Sequence, residues 1–471
     1  MWVTQMEPYT ASEKRDSVIE NTSQQVDLIK AEPATTRSDN PETEVGSVFV
    51  SNYPPYSFWS EDALAAVHQT LQQPSSAEID LGLYLHIPFC CKRCKFCYFR
   101  VYTDKNSKEV EQYLDLLVRE VELYATMPAI SGRSLRFVYF GGGTPSYISS
   151  KHLQRLVDQL TNCMTWDQAE EIAFECEPGT LTPRKLETIR QVGVTRLSIG
   201  VENLNDDILK ENGRAHVSTE IYRAMPRIHQ LEFDQVNIDL IAGMVGEVRE
   251  TWEETVQKAI DLDPDSITIY QMELPFNTVY SKQIMSEEGL SPYTADWKTK
   301  REWHHYAIEE LIKAGFEKSS AYTMVKKDRS HQFIYRDALW HSNDMIGTGV
   351  ASFSHLNGTH FQNLTDWNGY LEALQTGILP LNRAFKISHQ EKMTREMILQ
   401  LKLGQIEIDY FRQKFGVEIL DHFSVPYQKL RGEGMLDFDT EKVSLTQKGL
   451  LQVDRLLPEF YAEKYQNARY T

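Results

Sequence analysis

The chain has 471 residues, 41% of them hydrophobic, and carries 67 acidic against 49 basic side chains, a net charge of −18. That length allows one large core with a smaller satellite domain, and that charge excludes nucleic acid as the main partner, since a phosphate backbone demands a basic face. The start, Met1-Trp-Val-Thr-Gln-Met-Glu-Pro, has no basic stretch leading into an apolar one, and no apolar run approaches membrane-spanning length, so no membrane partner and a cytoplasmic, thiol-reducing setting are expected.

Residues 1–47 are rich in Ser, Thr, Glu, Asp, Gln and Asn without a sustained apolar period, and a disordered tail is expected there. A wrapping segment follows over 48–80. Within it Ser51-Asn-Tyr-Pro-Pro-Tyr56-Ser-Phe-Trp59 concentrates aromatics and prolines, as in chain laid over a domain surface. From 81 to 381 short apolar runs alternate with amphipathic stretches. Strands are predicted at 83–87, 137–140, 172–175, 196–199, 236–241 and 266–270. Helices are predicted at 110–123, 153–164, 185–192, 220–229, 252–262 and 303–314. Six strand–helix units in series imply a parallel sheet. From 382 to 471 the texture turns helical: helices over 390–403, 409–415 and 426–432, a hairpin over 434–445, and a last helix over 446–457. That is the order of a winged-helix-like module, without the basic surface of a DNA binder.

The first strand runs into His86-Ile-Pro-Phe-Cys90-Cys91-Lys-Arg-Cys94-Lys-Phe-Cys97-Tyr-Phe99, which holds four of the six cysteines. Thiolates this dense repel one another unless a metal centre shares their charge. Structural zinc needs a fourth Cys or His, and the usual second pair is missing. A disulfide is disfavoured in a chain with so few cysteines and no export signal. Counted from Cys90 the spacing is Cys-x3-Cys-x2-Cys, three thiolates for three irons of a four-iron cluster with the fourth iron open to substrate. Counted from Cys91 it begins like a ferredoxin run, but the further Cys-Pro is absent. Cys90, Cys94 and Cys97 are therefore the expected ligands and Cys91 a bystander, with zinc as the alternative. A cluster after the first strand favours a partial (β/α)6 TIM-like barrel over a doubly wound sheet, with binding groups at the carboxyl ends of the strands.

Each strand end carries such groups. Gly141-Gly-Gly-Thr144 allows a tight turn and close backbone approach, with amides expected to point at a ligand carboxylate. Glu175 and Glu177 are two apart and should face the same side. Ser198-Ile-Gly-Val-Glu202 ends the fourth strand. Asp239 stands between apolar neighbours and must have a partner. Gln271 and Glu273 should share a face, where either could meet substrate or a second cofactor.

Cys-x3-Cys-x2-Cys with an aromatic, Phe96, before the last cysteine resembles the signature of the radical S-adenosylmethionine enzymes. Tyr84-Leu-His-Ile-Pro-Phe-Cys90 resembles their oxygen-independent coproporphyrinogen III oxidase branch, which includes heme chaperones and radical methyltransferases. The resemblance runs from Tyr53 to Tyr461. It implies an α/β fold, a partial barrel with the C-terminal domain capping it over substrate. It implies a [4Fe-4S] cluster, one or two molecules of S-adenosylmethionine, and reduced flavodoxin or ferredoxin as electron donor. The open iron would be chelated by S-adenosylmethionine, and one electron would release a 5'-deoxyadenosyl radical that abstracts hydrogen from a tetrapyrrole-like, porphyrinogen-like substrate. Methyl transfer from a second S-adenosylmethionine and heme chaperoning are the alternatives.

By matching position Tyr84, Phe96, Gly142, Gly143, Thr144, Glu175, Glu202, Arg214 and Asp239 would bind cofactor, with Tyr84, Glu202 and Glu273 as candidate catalytic groups. Two positions depart from the oxidases: Glu202 stands where relatives usually have Gln, and Phe99 where oxidases carry a further cysteine. The Tyr-Pro element at 53–54 lies near the active-site mouth in relatives, which makes it a lid or a packing segment. Ile346-Gly-Thr-Gly-Val-Ala-Ser-Phe-Ser-His355 resembles a glycine-rich segment near the substrate side. His331-Gln-Phe-Ile-Tyr335 partly resembles a heme-binding element of the chaperones, with a lone surface histidine as the plainer reading.

Overall fold

Six parallel strands follow one another in space as they do in sequence: β1 (Leu81–Ile87), β2 (Leu135–Gly142), β3 (Glu171–Cys176), β4 (Arg196–Glu202), β5 (Gln235–Ala242) and β6 (Ser266–Gln271). The computed structural model describes residues 49–466 apart from 76–78, 275–277, 286–293 and 328–331; the expected tail over 1–47 and His331 lie outside the described residues. Strand interiors such as Leu197, Ile199, Ile238, Leu240, Ile267 and Ile269 are buried, as parallel strands covered by crossover helices require.

The sheet continues past the six predicted strands on both sides. On one edge lie β7 (Phe316–Lys318) and β8 (Thr323–Lys326), with β8 antiparallel to β6. On the other, β9 (Asp344–Thr348) returns parallel to β1, and β10 (Phe353–Leu356), β11 (Thr359–Asn363) and β12 (Leu381–Lys386) extend it antiparallel, giving twelve strands. The glycine-rich segment at 346–355 thus forms a buried strand and hairpin. A Cβ on Gly347 would stand 2.1 Å from the Phe353 carbonyl oxygen, so only glycine lets β9 and β10 close up. β12 runs across the expected domain boundary at 382 and belongs to the large sheet.

Helix starts lie outside several predicted ranges because caps do not follow an apolar period. Asn106 Oδ1 accepts from Lys108 N and Glu109 N, and Glu109 Oε2 accepts from Asn106 N, which starts the helix Ser107–Ala125 ahead of 110. Asp296 Oδ1 accepts from Thr299 N at 2.7 Å and starts Trp297–Lys313 ahead of 303. The C-terminal module has the predicted order, with helices His389–Leu401, Ile408–Phe415 and Ser424–Gly432 and a small sheet of β13 (Gln405–Glu407), β14 (Leu436–Phe438) and β15 (Lys442–Leu445). The last helix predicted over 446–457 is broken into Gln447–Leu450 and Val453–Leu456. At the break the Leu451 carbonyl turns out to accept from Gln271 Nε2 at 2.9 Å, tying the module to the end of β6.

The N-terminal segment is packing chain that joins the parts. Tyr53 is buried against Tyr461 and Tyr465 of the C-terminal module, and Ser60 bridges to Ala384 on β12. Among the described residues no helix is long and apolar enough to cross a membrane.

One buried acid organises the β1–β9 edge. Glu120, fully buried in Ser107–Ala125, accepts from Gly349 N at 2.8 Å, Asn363 Nδ2 at 2.6 Å and Tyr370 O–H at 2.6 Å. Burial still pushes its carboxyl up to about 7 against those bonds. Between the ordinary carboxylate range and about 7, the unfolded chain releases this proton while the folded chain keeps it. Its contribution to stability is thus present in acid and declines as pH rises. The Glu120→Gln variant cannot ionise there and should lose less stability than the parent between about pH 4.5 and about pH 7 in urea unfolding. Equal declines would mean that another group carries the pH dependence.

Candidate active site at the carboxyl ends of the strands

Alternation along β1 sends Tyr84 and His86 to one face and Leu83, Leu85 and Ile87 to the other, where they are buried. Tyr84 stacks on Tyr139 of β2 at 5.8 Å, and its hydroxyl lies 3.3 Å from His86 Nδ1. Tyr139 O–H donates to Glu175 Oε1 at 2.8 Å and Gly142 N donates to Glu175 Oε2 at 3.1 Å. Next, Asp239 has the partners its apolar flanks demand: Ser198 Oγ at 3.1 Å and Asn237 Nδ2 at 2.9 Å. Glu202 closes β4 at an irregularity in the β4–β5 register, with a left-handed φ of 63° that is unusual for a side-chain-bearing residue.

Arg214 joins these acids to the cysteines. Its Nη2 donates to Gly200 O at 2.6 Å, and its Nη1 lies 3.5 Å from Glu202 Oε1 and 3.3 Å from Cys94 Sγ. From the other side Thr144 O–H donates to Cys90 Sγ at 3.3 Å. Burial pushes the Cys90 thiol up to about 12 and the Cys97 thiol up to about 11, with the neighbouring cysteines of the 90, 94, 97 set adding to both. Cys91 is exposed and takes its field from Glu177 and Lys185 instead. All six cysteines are free of disulfides.

Burial is also the main cause that lifts three acids of the site: Glu175 to about 7, Glu202 to about 7 and Asp239 to about 6. Mutual repulsion adds to the first two, and Arg214 opposes it at Glu202 and Asp239.

Several expectations are corrected. Glu175 and Glu177 take different partners: β3 ends at Cys176, and the Glu177 carboxylate takes His216 Nδ1 at 2.8 Å. The amides of Gly142 and Gly143 do not point at a ligand, since they donate to Glu175 Oε2 and to Ile87 O. A Cβ on Gly143 would stand 2.9 Å from the Pro88 carbonyl carbon, so glycine there lets β2 seat directly against the start of the cysteine loop. Gln271 and Glu273 have different partners: Gln271, at the end of β6, meets His304 and Leu451, and Glu273 accepts from Phe49 N at 3.2 Å. Phe96 packs in an apolar cluster with Ile208, Ile241, Met244, Val245, Met272 and Tyr280, anchoring the loop from beneath. His86, Tyr139 and His216 went unpredicted. The period-two pairing of Tyr84 with His86 was the signal for one of them.

A model of the radical SAM superfamily matches residues 84–259, and a model of the HemN C-terminal domain matches residues 387–451. The heme chaperone HemW of Bacillus subtilis is 26% identical over 392 residues, 81% of this chain and 99% of that protein. The oxygen-independent coproporphyrinogen III oxidase of Synechocystis is 25% identical over 430 residues, 87% of this chain and 91% of that protein. Coproporphyrinogen III oxidase (HemN) from Escherichia coli, a radical SAM enzyme, has the same fold, with a TM-score of 0.76 over 87% of this chain and 96% of that one at 24% identity. The chain belongs to the radical SAM superfamily, in its coproporphyrinogen III oxidase-like family.

That family implies a [4Fe-4S] cluster and S-adenosylmethionine, and the radical SAM site described above fits them. Three free thiols lie in one another's field beside a guanidinium and a hydroxyl that already reach two of the sulfurs. Among the described residues no three His, Cys, Asp or Glu side chains converge as on a single ion; cluster thiolates bind separate irons and need no such convergence. Substitution separates the ligands from the bystander. Cys90→Ser, Cys94→Ser and Cys97→Ser should each lose most of the iron and visible absorbance of the reconstituted protein, and Cys91→Ser should keep both. A full cluster in Cys90→Ser would give the ligand role to Cys91.

Proposed function

We propose that this chain is a radical SAM oxidoreductase acting on a porphyrinogen-like tetrapyrrole, with Cys90, Cys94 and Cys97 holding the cluster. The cluster and S-adenosylmethionine, when bound, supply a 5'-deoxyadenosyl radical that abstracts hydrogen from the substrate. The observation that carries this reading is the convergence of those thiols with Glu175, Glu202, Arg214 and Asp239 at successive strand ends. The residues then divide the work by charge. Burial lifts Glu175 and Glu202 to about 7, and a cationic amino or sulfonium group beside them would favour their carboxylate forms, adding to Arg214 at Glu202. Arg214 can meet a carboxylate with its fork, and Asp239, oriented by Ser198 and Asn237, offers acceptors to ribose hydroxyls. The Tyr84–Tyr139 stack walls the lumen against water. Reduced flavodoxin or ferredoxin would deliver the electron, by family resemblance.

A second reading is favoured by Phe99, an aromatic where oxidases carry a cysteine, and by the match to a heme chaperone over 99% of its length. In it the site binds the same cofactors but turns over little, and heme is the cargo. Methyl transfer with two S-adenosylmethionine molecules shares the Phe99 argument.

One anaerobic experiment separates the three. Reconstituted protein is given S-adenosylmethionine and a strong reductant, and its products are followed by mass spectrometry. The expected outcome is 5'-deoxyadenosine without S-adenosylhomocysteine. Both products together would point to methyl transfer. Neither product from a fully loaded cluster would overturn the oxidoreductase reading in favour of the chaperone.

A further inference from the structure

Glu202 is held in a conformation that few residues with a side chain adopt. Its φ is 63°, and Asn203 N donates back to Val201 O at 2.8 Å, so β4 ends in a tight turn of the strained, left-handed kind. Such a turn persists only where its surroundings over-determine it. On one side Asn203, fully buried, donates through Nδ2 to Glu247 Oε1 at 2.5 Å and accepts from Thr255 Oγ1 at 3.0 Å. On the other, the loop after the helix Asp206–Glu211 grips two successive carbonyls of β4. Arg214 Nη2 donates to Gly200 O at 2.6 Å, and His216 Nε2 lies 3.3 Å from Val201 O. A Cβ on Gly200 would stand 2.9 Å from Glu202 Oε1 and 3.3 Å from Arg214 Nη2, so glycine leaves the room in which these two meet.

His216 is fixed in turn from the loop after β3. It is 3% exposed, and its Nδ1 lies 2.8 Å from Glu177 Oε1. Glu177 N donates to Ser146 Oγ at 3.0 Å, and Ser146 follows closely on Thr144, whose hydroxyl donates to Cys90 Sγ. The series Thr144, Ser146, Glu177, His216, Arg214 therefore begins at Cys90 and ends at Cys94, which Arg214 Nη1 faces at 3.3 Å. Arg214 can meet Cys94 and Glu202 together only while its loop is seated on β4. Both ring nitrogens of His216 are spent on that seat.

We propose that His216 and Glu177 are positioning residues, which hold Arg214 and the turn at Glu202 in the geometry that receives S-adenosylmethionine. This deepens the proposed function and rests on it, since the pair acts through Arg214 and Glu202 and not on the cofactor itself.

The test uses the full-length protein with its cluster reconstituted anaerobically. S-Adenosylmethionine affinity is measured by equilibrium dialysis and counted per loaded cluster. The reduced cluster is followed by electron paramagnetic resonance with and without S-adenosylmethionine. The wild type should bind, and its resonance should change shape on binding. His216→Ala should bind about tenfold more weakly and show the spectral change only at correspondingly higher concentration. A Gln amide reaches about the place of Nε2, and an Asn amide about that of Nδ1. His216→Gln, able to bond Val201 O, should therefore recover to within about threefold of the wild type, while His216→Asn stays with His216→Ala. A pair that merely stabilised the fold would lower the urea midpoint and the yield of cluster but not the affinity per loaded cluster. That result in His216→Ala would overturn the inference, and so would a Gln variant that binds no tighter than the Asn variant. If His216→Ala fails to fold, the Gln and Asn variants carry the comparison. Glu177→Ala should also weaken binding, by about threefold, and wild-type affinity there would overturn the role of the pair. A wild type with a full cluster that neither binds S-adenosylmethionine nor changes its resonance would overturn the underlying reading instead.

Discussion

The site depends on an imbalance of charge. Glu175 and Glu202 near the ends of β3 and β4 and Asp239 within β5 are all lifted by burial; Arg214 pairs with Glu202 and, with Arg196, opposes the shift at Asp239. That same guanidinium also faces Cys94. A buried carboxylate without a partner costs several kcal/mol, on the order of what a whole domain has to spare. The strands can hold three acids here because each is hydrogen-bonded or near Arg214, and because burial favours their protonated forms. In the proposed function a ligand with an amino group and a sulfonium would add counter-charge, so its binding would favour ionisation of the acids.

The cysteine loop has no helix or strand of its own, so its shape is imposed by its neighbours. Gly143 N donates to Ile87 O at the end of β1, Lys95 N donates to Asn212 O, and Phe96 sinks into the apolar cluster beyond β5 and β6. Asn212 is fully buried and links Ile208 O to Val245 O through its amide, so the loop that carries Arg214 is fixed to the same frame as the thiols. A change in the loop after β5 would thus be felt as a shift of Arg214 relative to Cys94. The frame carries the precision that the loop lacks.

What could be read from sequence follows from how local its cause is. The six strands and the cysteine spacing are set by period-two burial and by residues within one loop, so they were legible. Spacing alone set Cys91 aside, and the structure has it exposed, in the field of Glu177 and Lys185. β9 was not legible, because Asp344–Thr348 pairs with β1 across more than two hundred residues. Glu175 and Glu177 looked equivalent from their spacing, but Glu175 is held by Tyr139 and Gly142 while Glu177 is held by His216. Gly142 and Gly143 were rightly placed beside the cysteines, but their amides serve the chain's own carbonyl and carboxylate. In each case the deciding atom comes from a distant part of the chain.

The N-terminal segment from Phe49, the end of β6 and the C-terminal module are bonded to one another. Lys402, fully buried, donates to Val50 O at 2.7 Å and pairs with Asp454 at 2.9 Å, and Asp454 in turn accepts from Val50 N at 2.8 Å. Phe49 N donates to Glu273 beyond β6, and Gln271 reaches Leu451 from the same strand end. Asn52, three residues on, holds Arg395. The roof is therefore a polar network whose members come from the N-terminal segment, the sixth strand and the C-terminal module. Removing Asp454 would leave the buried Lys402 charge unpaired, and removing the neutral members would leave buried polar groups without partners, which couples the order of the three parts. A module that merely rested on the barrel would need none of these bonds. These bonds tie the module to the end of β6 and to the N-terminal segment, so its position is coupled to the strand that carries Gln271.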